Sequence, residues 1–478
     1  MKRNFRYLPI ALVAAGILIG TNPLAEAKTK TKRKTAKSSS SLQQQIQDLQ
    51  QNQKVLERKW ELDQEKEEVK AQDEKKNGVK IGVNSKEGFF IKSNDGQYTI
   101  KFRGLVQADA RFYLKDGSQK LTDQFLVRRV RPIVEGTVTK YFDFRIVPDF
   151  GSGTITLQDA YADAKPFKEL KIRGGKFKVP IGLERLQSAN NLFSVERGLP
   201  TNLVPNRDIG FQLFGDFLDG SISYAVGVLD GTPDNGPGGL NAFDGDNTDG
   251  KDVYGRLFFH PFKKTSIAPL HKLGFGVAGT FGSQDGSQSA PNLPSYKTIG
   301  QNTFFSYLNG GAGNNTVISA NDRYRITPQG YYYFGPFGIF GEYVRSTTGV
   351  SIGGTQNTSL THQAWQVAAE GILTGEENNW TGINVKRPIH PKKGQWGAVS
   401  VGARYNEQRN DPRSFPLYAS PTASAQRARA WGLAANWYLT NNYKFTLSYD
   451  QTHFKGGAAG GGDRAAEHAL LSRVQVSY

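Results

Sequence analysis

The sequence contains no cysteine, and after its first 27 residues it has no long uninterrupted apolar segment. Without cysteine, neither disulfides nor a thiolate metal site can hold the fold together. A membrane-spanning helix needs roughly 20 consecutive apolar residues, and no segment of the chain has that length. The six histidines show no metal-ligand spacing. We therefore expect no disulfide, metal or cofactor, and a protein that is either soluble or a β-barrel.

The N-terminus has the order of charge and hydropathy of a secretory signal peptide. Three basic residues among the first six precede an apolar run over residues 8–19, and an A-x-A sequence ends at Ala27. Because this run has only about a dozen residues, it is too short to span a membrane. Residues 1–27 are therefore predicted to be a signal peptide that is cleaved after Ala27. Export without cysteine is typical of a bacterial envelope protein.

Two segments of different character follow the signal peptide. Residues 28–40 are basic and rich in serine, which predicts a disordered arm in the periplasm. In residues 41–75 apolar side chains recur in steps of four and three, which predicts a short periplasmic coiled-coil helix. Pairing with copies of itself would stabilise such a helix, and a solitary helix is the alternative. Residues 76–96 are predicted to be a linker. The apolar positions of the helix are Leu42, Ile46, Leu49, Leu56 and Trp60.

From residue 97 the hydrophobic period changes to two. Along residues 98–114 an apolar face alternates with a face that carries Lys101, Arg103 and Arg111, which suits a strand that crosses a bilayer. The 29 phenylalanines, 20 tyrosines and 54 glycines agree with many short strands and aromatic girdles. Sixteen such segments predict an all-β fold, a transmembrane antiparallel up-and-down β-barrel over residues 97–478. A large soluble β-sandwich or propeller is the competing fold.

The predicted strands lie near residues 97–114, 123–139, 141–150, 154–165, 169–179, 207–217, 220–230, 251–260, 271–284, 323–334, 337–347, 361–374, 395–409, 427–440, 442–454 and 465–478. Tight periplasmic turns alternate with longer external loops, among them the polar stretch 285–322. The connection 151–153 is short for an external loop, and the connection 375–394 is long for a periplasmic turn. A barrel with two strands more or fewer is therefore the alternative.

The net charge of +17 points to an anionic partner, and export makes nucleic acid the least favoured one. A lipid-facing charge at the bilayer midplane costs about 2–4 kcal/mol, so most strand cations should face the lumen. Positive charge there favours anion entry, and guanidinium groups match the oxygens of phosphate. These candidate anion-pathway residues are Arg103, Arg111, Arg129, Arg131, Arg173, Lys176 and Lys178. Each arginine could instead pair with an inward acid such as Asp109, Asp143, Asp149 or Asp163. Alternation leaves the direction of Arg128 open.

The stretch near 180–206 is long for a loop and carries apolar side chains that a solvated loop would lack. We expect it to fold into the barrel and narrow it.

The chain resembles the outer-membrane porins selective for phosphate and polyphosphate, the porin O and P type. The motifs that carry the resemblance are FLVRRVRPIVEGTVTKYFDFRIVPDFG at 125–151, RGGKFKVPIGLERLQSANN at 173–191, VERGLP at 195–200 and GLAANWYLTNNYKFTLSYDQTHF at 432–454. The resemblance implies a sixteen-stranded trimer with a ladder of arginines that leads to a constriction. It makes Arg128 and Arg129 members of that ladder and places Arg185 and Arg197 on the constricting loop.

The sequence thus predicts an outer-membrane channel for passive diffusion of anions, with phosphate or polyphosphate as the solute, and no enzyme. The expected partners are small anions, outer-membrane lipid, two further copies of the chain, and peptidoglycan through the basic arm. A non-specific general porin and a barrel that anchors the envelope to the cell wall are the alternatives. Ser351 lies in a GxSxG pattern, but no helix is expected after it, which argues against a hydrolase.

Overall fold

The computed structural model describes residues 35–85, 87–114, 121–153, 155–234, 249–310, 316–354 and 356–478. The predicted signal peptide and residues 28–34 of the basic arm lie outside these ranges. The chain divides into two compact units, Met1–Glu74 and Lys75–Tyr478. Within the described ranges, no helix is long and apolar enough to cross a membrane.

Helix α1, Thr35–Asn77, forms the described part of the first unit, its last three residues belong to the second, and it covers the range predicted for the coiled coil. The helix begins six residues before that range, so residues 35–40 are helical where a disordered arm was expected. Neither glycine nor proline separates these residues from the heptads, and the helix therefore extends through them. The apolar side chains at the heptad positions are 50–67% exposed, so the single chain leaves this seam uncovered.

Residues 76–96, expected to be a linker, instead contain an antiparallel hairpin of strands β1, Val79–Asn84, and β2, Gly88–Ser93. Strand β2 pairs with residues 99–102 at the start of the first barrel strand. The last barrel strand pairs with that same strand only over residues 105–113. The hairpin therefore takes up the hydrogen-bonding edge that the end of the chain leaves open.

Sixteen antiparallel strands form a closed barrel, because the last strand hydrogen-bonds to the first. This confirms the predicted fold and strand count. With the hairpin strands β12 and β13 between them, the strands are β3 Thr99–Tyr113, β4 Gln124–Val138, β5 Phe142–Asp149, β6 Thr156–Ala164, β7 Lys171–Lys178, β8 Arg207–Phe217, β9 Ile222–Leu229, β10 Asp252–Phe259, β11 Leu273–Ser283, β12 Ser295–Lys297, β13 Thr303–Ser306, β14 Val317–Phe334, β15 Phe337–Ile352, β16 Gln356–Ile372, β17 Ala398–Arg409, β18 Ala425–Tyr438, β19 Tyr443–Gly456 and β20 Glu467–Ser477.

The outer surface of the barrel is apolar. Phe125 on β4 and Phe211 on β8 are 80% and 72% exposed, whereas polar side chains of the same strands are buried inside. A soluble sandwich or propeller would bury its apolar face, so this arrangement requires a bilayer around the protein. The short connection after β5 and the long one after β16 are both real features of a sixteen-stranded barrel.

Strands β14, β15 and β16 extend further towards the loop end than the alternating pattern indicated. There Val317, Val350 and Ile352 are buried together with Ser351, so both faces of the sheet are covered. Alternation disappears where neither face meets lipid or open water, and the sequence rule then ends a strand too early.

The connection between β11 and β14, expected to be a polar external loop, instead packs into the mouth of the barrel. Its hairpin, β12 and β13, buries Tyr296, Phe304 and Phe305 almost completely. The rings of Tyr296 and Phe305 stack with centroids 5.3 Å apart, and the Tyr307 hydroxyl lies 2.8 Å from Nε2 of His362 on β16. An aromatic core therefore fills part of the mouth.

The long connection at the turn end, residues 373–397, also packs inward. The ring of Trp380 stacks on Tyr331 of β14 with a centroid distance of 5.1 Å. The carbonyl of Thr381 accepts a hydrogen bond of 2.6 Å from Nδ2 of Asn191, which belongs to the connection between β7 and β8. Segments from both ends of the barrel thus meet in its interior.

Removing one ring from the core of the mouth should destabilise the protein. Phe305→Ala leaves a cavity, and we expect the free energy of unfolding to fall by about 3–5 kcal/mol. Denaturant unfolding in detergent, followed by tryptophan fluorescence, measures this change. Phe337→Ala removes a ring that is 67% exposed on the outer surface and is the control. Equal losses in the two variants would contradict the packing described for the mouth.

Candidate functional site

The connection between β7 and β8, residues 179–206 and here called the constricting loop, crosses the interior of the barrel. Leu183, Leu199 and Leu203 are almost fully buried, which is why the loop carries apolar side chains. A short helix, α2, Leu183–Leu186, brings the start of the loop to the opposite wall. The loop therefore divides the space inside the barrel.

Glu342 on β15 and Gln366 on β16 hold the near part of the constricting loop. The Glu342 carboxylate accepts hydrogen bonds from the backbone N–H of Leu183 at 2.6 Å and of Glu184 at 3.2 Å. The Gln366 amide donates to Glu342 at 2.7 Å and to Glu184 at 2.9 Å. A wall carboxylate thus caps backbone donors that would otherwise be buried without acceptors.

Cationic side chains of the wall hold the far part of the loop by its backbone carbonyls. Lys444 Nζ donates to the carbonyl of Leu192 at 2.8 Å, and Arg473 Nη1 donates to that of Val195 at 2.6 Å. Lys178 Nζ donates to the carbonyl of Gln187 at 3.2 Å. These three cations therefore hold the constricting loop in place, whether or not they also contact a solute.

Four arginines surround Glu196, a residue of the constricting loop; we call this group the Glu196 cluster. Its members are Arg111, Arg128, Arg129, Arg473 and Glu196. Oε1 of Glu196 lies 3.1 Å from Nη2 of Arg111, 2.7 Å from Nε of Arg128 and 3.5 Å from Nη2 of Arg473. Burial alone would raise the pKa of the Glu196 carboxyl, but Arg128, Arg129 and Arg473 hold this pKa well below its usual range. Glu196 is therefore ionised.

A β-bulge decides the direction of Arg128, which alternation left open. Gln107 of β3 pairs with Arg129, and the next residue, Ala108, pairs with Val127, so Arg128 is the extra residue on β4. A bulge re-aims one side chain, and two consecutive arginines then reach the interior. Arg129 donates to Oε1 of Gln107 at 2.7 Å, while Arg128 reaches Glu196.

A second group of cations, here called the Arg207 cluster, lies where the constricting loop leaves and rejoins the wall. Its members are Arg131, Lys178, Arg185, Arg197 and Arg207. Lys178 is close enough to Arg185, Arg197 and Arg207 to interact with each electrostatically, and Arg197 interacts with Arg131 in the same way.

The cations of the Arg207 cluster contact both carboxylates and backbone carbonyls. Arg131 pairs with Asp149 at 2.7 Å, and Arg207 pairs with Asp159 at 3.0 Å. Arg185 donates to the carbonyl of Thr201, and Arg197 donates to those of Glu184 at 3.0 Å and Gln187 at 2.7 Å. Acids also interact electrostatically with these two arginines: Glu184 with both, and Glu196 with Arg197. The cluster is therefore held by acids as well as by carbonyls.

The other predicted pathway residues belong to the wall. Arg103 pairs with Glu135 at 3.2 Å. Arg173 makes two hydrogen bonds to Asp163, at 2.7 and 2.8 Å, and its guanidinium lies 3.8 Å from the ring centroid of Tyr161. Pairing with an inward acid, the alternative interpretation of these arginines, describes them best. Lys176 is buried next to Gly175, whose φ of +122° breaks the regular alternation of β7.

A cavity of about 550 Å³ lies beside the short connection after β5. Three cations line it: Arg111 and Arg128 from the wall and Lys297 from the inserted hairpin. Gln124, Leu126, Val127, Phe150, Ser152, Gly153 and Gln301 complete the lining. None of these lining residues is acidic, so an anion entering the cavity meets two arginines of the Glu196 cluster.

Several interior cations were not predicted as pathway residues, among them Arg207, Arg404, Lys444 and Arg473. Arg404, Lys444 and Arg473 occupy the inward parity of their strands, a signal that could have identified them. Arg207 instead has the parity of the exposed Phe211, so alternation does not reveal that it is buried. Of the acids that hold them, Asp109 was predicted to face inward, and Arg473 binds both of its oxygens at 2.7 Å. Glu184 and Asp450 were not predicted, and Arg404 contacts them at 3.4 Å and 3.2 Å.

Glu342→Ala should loosen the constricting loop. It leaves the backbone N–H groups of Leu183 and Glu184 without their acceptor. Each unsatisfied group destabilises the folded loop by about 1–3 kcal/mol. We expect single-channel recordings in potassium chloride to show several conductance levels in place of one. Glu407→Ala, which removes a carboxylate paired with Arg429 at the mouth, is the charge-matched control and should keep one level. Identical recordings for both variants would show that Glu342 does not hold the loop.

Comparison with known proteins gives the family. The family model for phosphate-selective porins O and P matches residues 100–478. The outer membrane channel DcaP of Acinetobacter baumannii has a TM-score of 0.51 at 9% identity, over 81% of this chain and 99% of its own. The anion-selective porin of Comamonas acidovorans has a TM-score of 0.48 at 10% identity, over 80% of this chain and 100% of its own. In-vitro folded OmpT of Vibrio cholerae has a TM-score of 0.49 at 12% identity, over 80% of this chain and 98% of its own. No curated protein sequence matches the chain. The likeness to DcaP shows a common fold, and the family model shows that the chain belongs to the phosphate-selective porin O and P family.

Proposed function

We propose that this outer-membrane channel passes small anions by passive diffusion and prefers phosphate or polyphosphate. The observation that carries this proposal is the Glu196 cluster, in which four arginines lie around the carboxylates of Glu196 and Asp109 beside the constricting loop. A pore wall with uncompensated positive charge concentrates anions and repels cations.

The kind of cation supports an oxyanion as the preferred solute. Arginine presents a planar set of N–H donors that matches two oxygens of a phosphate, whereas chloride requires only positive potential. Arg128, Arg129 and Arg131 form a row along β4 that continues from the cavity to the Arg207 cluster. An anion could exchange its water for guanidinium donors step by step along this row.

Transport rather than catalysis agrees with the surroundings of Ser351. This serine is buried in β15, pairs in register with Asn357 of the next strand, and is followed by β16. A nucleophile elbow needs an exposed serine between a strand and a helix. Within the described ranges, no group of three or more His, Cys, Asp or Glu residues could hold a metal ion.

We also propose that the protein is a homotrimer in contact with outer-membrane lipid, and that its N-terminal segment joins the copies. The heptad side chains of α1 are exposed along one seam, and burying such a seam against identical helices stabilises it. The basic residues that precede the helix are suited to bind peptidoglycan.

Planar-bilayer recordings of the purified protein test the anion preference. Under a potassium chloride gradient we expect an anion-selective reversal potential, and added phosphate should reduce the chloride current. Anion selectivity without this reduction would indicate a general anion porin, and an absence of conductance would favour an envelope anchor.

Arg197→Gln should weaken the block by phosphate. Losing a charged donor costs about 1.5–3 kcal/mol, so the half-blocking phosphate concentration should rise roughly tenfold or more. Arg409→Gln, which removes an exposed arginine at the mouth, is the control and should leave that concentration nearly unchanged. Equal effects would mean that overall charge, and not a local site, sets the preference.

Deleting residues 28–75 separates the channel from the assembly function. We expect anion conductance to survive, because the deletion ends before Val79, the first strand residue of the barrel unit. The trimer fraction measured by multi-angle light scattering in detergent should fall, because the seam of α1 is lost. A conducting variant that is still fully trimeric would contradict the role proposed for the helix.

A further inference from the structure

Glu196 is a carboxylate at the focus of four arginines inside an anion channel. The carboxylate belongs to the constricting loop, whereas Arg111, Arg128, Arg129 and Arg473 belong to strands of the wall. Arg128 donates to both of its oxygens, Nε to Oε1 at 2.7 Å and Nη2 to Oε2 at 3.4 Å. Guanidinium groups bind phosphate oxygens with this same forked geometry. The loop thus places an oxyanion where the wall could bind a permeating one.

Two hydrogen-bond donors of the Glu196 cluster are unsatisfied within the described ranges. Among the described residues, no hydrogen-bond partner satisfies Nε of Arg111 or Nε of Arg129, although both atoms are buried. Buried donors without acceptors are costly, and an additional oxyanion would satisfy them. Charge points the same way, because in the described part of the chain the salt bridges of these arginines go to two carboxylates, Glu196 and Asp109.

A solute can reach the cluster through a cavity that two of its arginines line. Arg111 and Arg128 line the cavity of about 550 Å³ beside the connection after β5, which also carries Lys297. These two arginines therefore stand between an anion in the cavity and Glu196. Any donor that turns to the anion is withdrawn from Glu196.

We propose that Glu196 is a tethered competitor of the permeating anion at an oxyanion site formed by Arg111, Arg128, Arg129 and Arg473. Rapid conduction requires a site that attracts its ion but releases it again. Four arginines alone would hold a phosphate tightly, whereas a carboxylate that returns to the same donors when the phosphate moves on speeds its release. This assignment rests on the proposed anion channel and makes Glu196 the residue that sets its affinity.

Glu196→Gln tests the assignment, because it removes the competing charge and nearly preserves the shape of the side chain. The half-blocking concentration of inorganic phosphate is measured from the chloride current in planar bilayers. We expect it to fall roughly tenfold or more, since hydrogen bonds to charged groups are worth about 1.5–3 kcal/mol and each 1.4 kcal/mol is tenfold. Saturating phosphate should pass less current through this variant than through the wild type, because the anion leaves more slowly.

Asp163→Asn is the matched control. Asp163 also accepts two hydrogen bonds from one arginine, Arg173, but it lies on β6 of the wall and not on the loop. This variant changes the net charge equally, and its half-blocking concentration should stay within about threefold of the wild-type value, as expected for a screened, more distant charge. An equal fall in both variants would replace the local competitor by a general charge effect and overturn the proposal.

The remaining outcomes also separate the proposals. Phosphate could leave the chloride current of the wild type unchanged and yet block the current of Glu196→Gln. That result would support the competitor role of Glu196 and contradict the proposed phosphate preference of the wild type. If phosphate blocks Glu196→Gln less strongly than the wild type, Glu196 organises the arginines. If the block is unchanged, Glu196 does not interact with the anion. Either result would refute the competitor role. Should Glu196→Gln fail to insert, Glu196→Asp serves instead. Its shorter carboxylate cannot reach all its partners, so an unchanged half-blocking concentration in that variant would refute the competitor.

Discussion

Every backbone N–H and C=O that faces lipid must find its partner within the protein, and the closure of β20 on β3 meets this demand. Closure leaves no lipid-exposed sheet edge, and it fixes which face of each strand points inward. Apolar side chains such as Phe125 and Phe211 then contact lipid. Charged side chains, for which lipid is costly, collect in the lumen. The positive interior of the channel is therefore a consequence of barrel closure applied to a basic sequence.

A closed barrel of sixteen strands leaves more interior space than its wall side chains can fill, and three connections occupy it. The hairpin of β12 and β13 enters from the loop end, the segment with Trp380 enters from the turn end, and the constricting loop lies between them. Their own backbone groups are then buried, which explains the use of wall side chains as hydrogen-bond partners. Lys444 and Glu342 contact loop carbonyls and loop N–H groups for this reason.

Burying so many arginines is costly unless each finds an acceptor. Arg323, which is almost fully buried, pairs with Asp252 at 3.0 Å, and Arg325 pairs with the same carboxylate at 3.1 Å. Such pairs add little net stability, but they fix the positions of the side chains. The interior therefore combines two uses of arginine: groups that share a carboxylate and shape the mouth, and groups that gather around Glu196 of the constricting loop.

The barrel could be predicted from the sequence because period-two alternation is a local pattern that lipid on one side and polar space on the other impose on each strand. Less of the functional site could be predicted from the sequence. The inward direction of Arg128 depends on a bulge that is visible only in the pairing of Gln107 with Arg129. Of the arginines around Glu196, Arg473 lies hundreds of residues from the other three, and no local pattern connects it to Arg111. Burial of Phe304 and Phe305 was equally hidden, because their short aromatic stretch lies in a polar segment.

The hairpin of β1 and β2 has a consequence for the order of assembly. Its contacts with β3 join residues close in sequence, whereas the contacts of β20 with β3 join the two ends of the barrel domain. Local contacts close small loops and form early, so a three-stranded ribbon can exist before the C-terminus arrives. One portion of the β3 edge is then already covered, and the portion still open has the length of β20. This partial cover shields the growing sheet from pairing with other chains while it waits for its last strand.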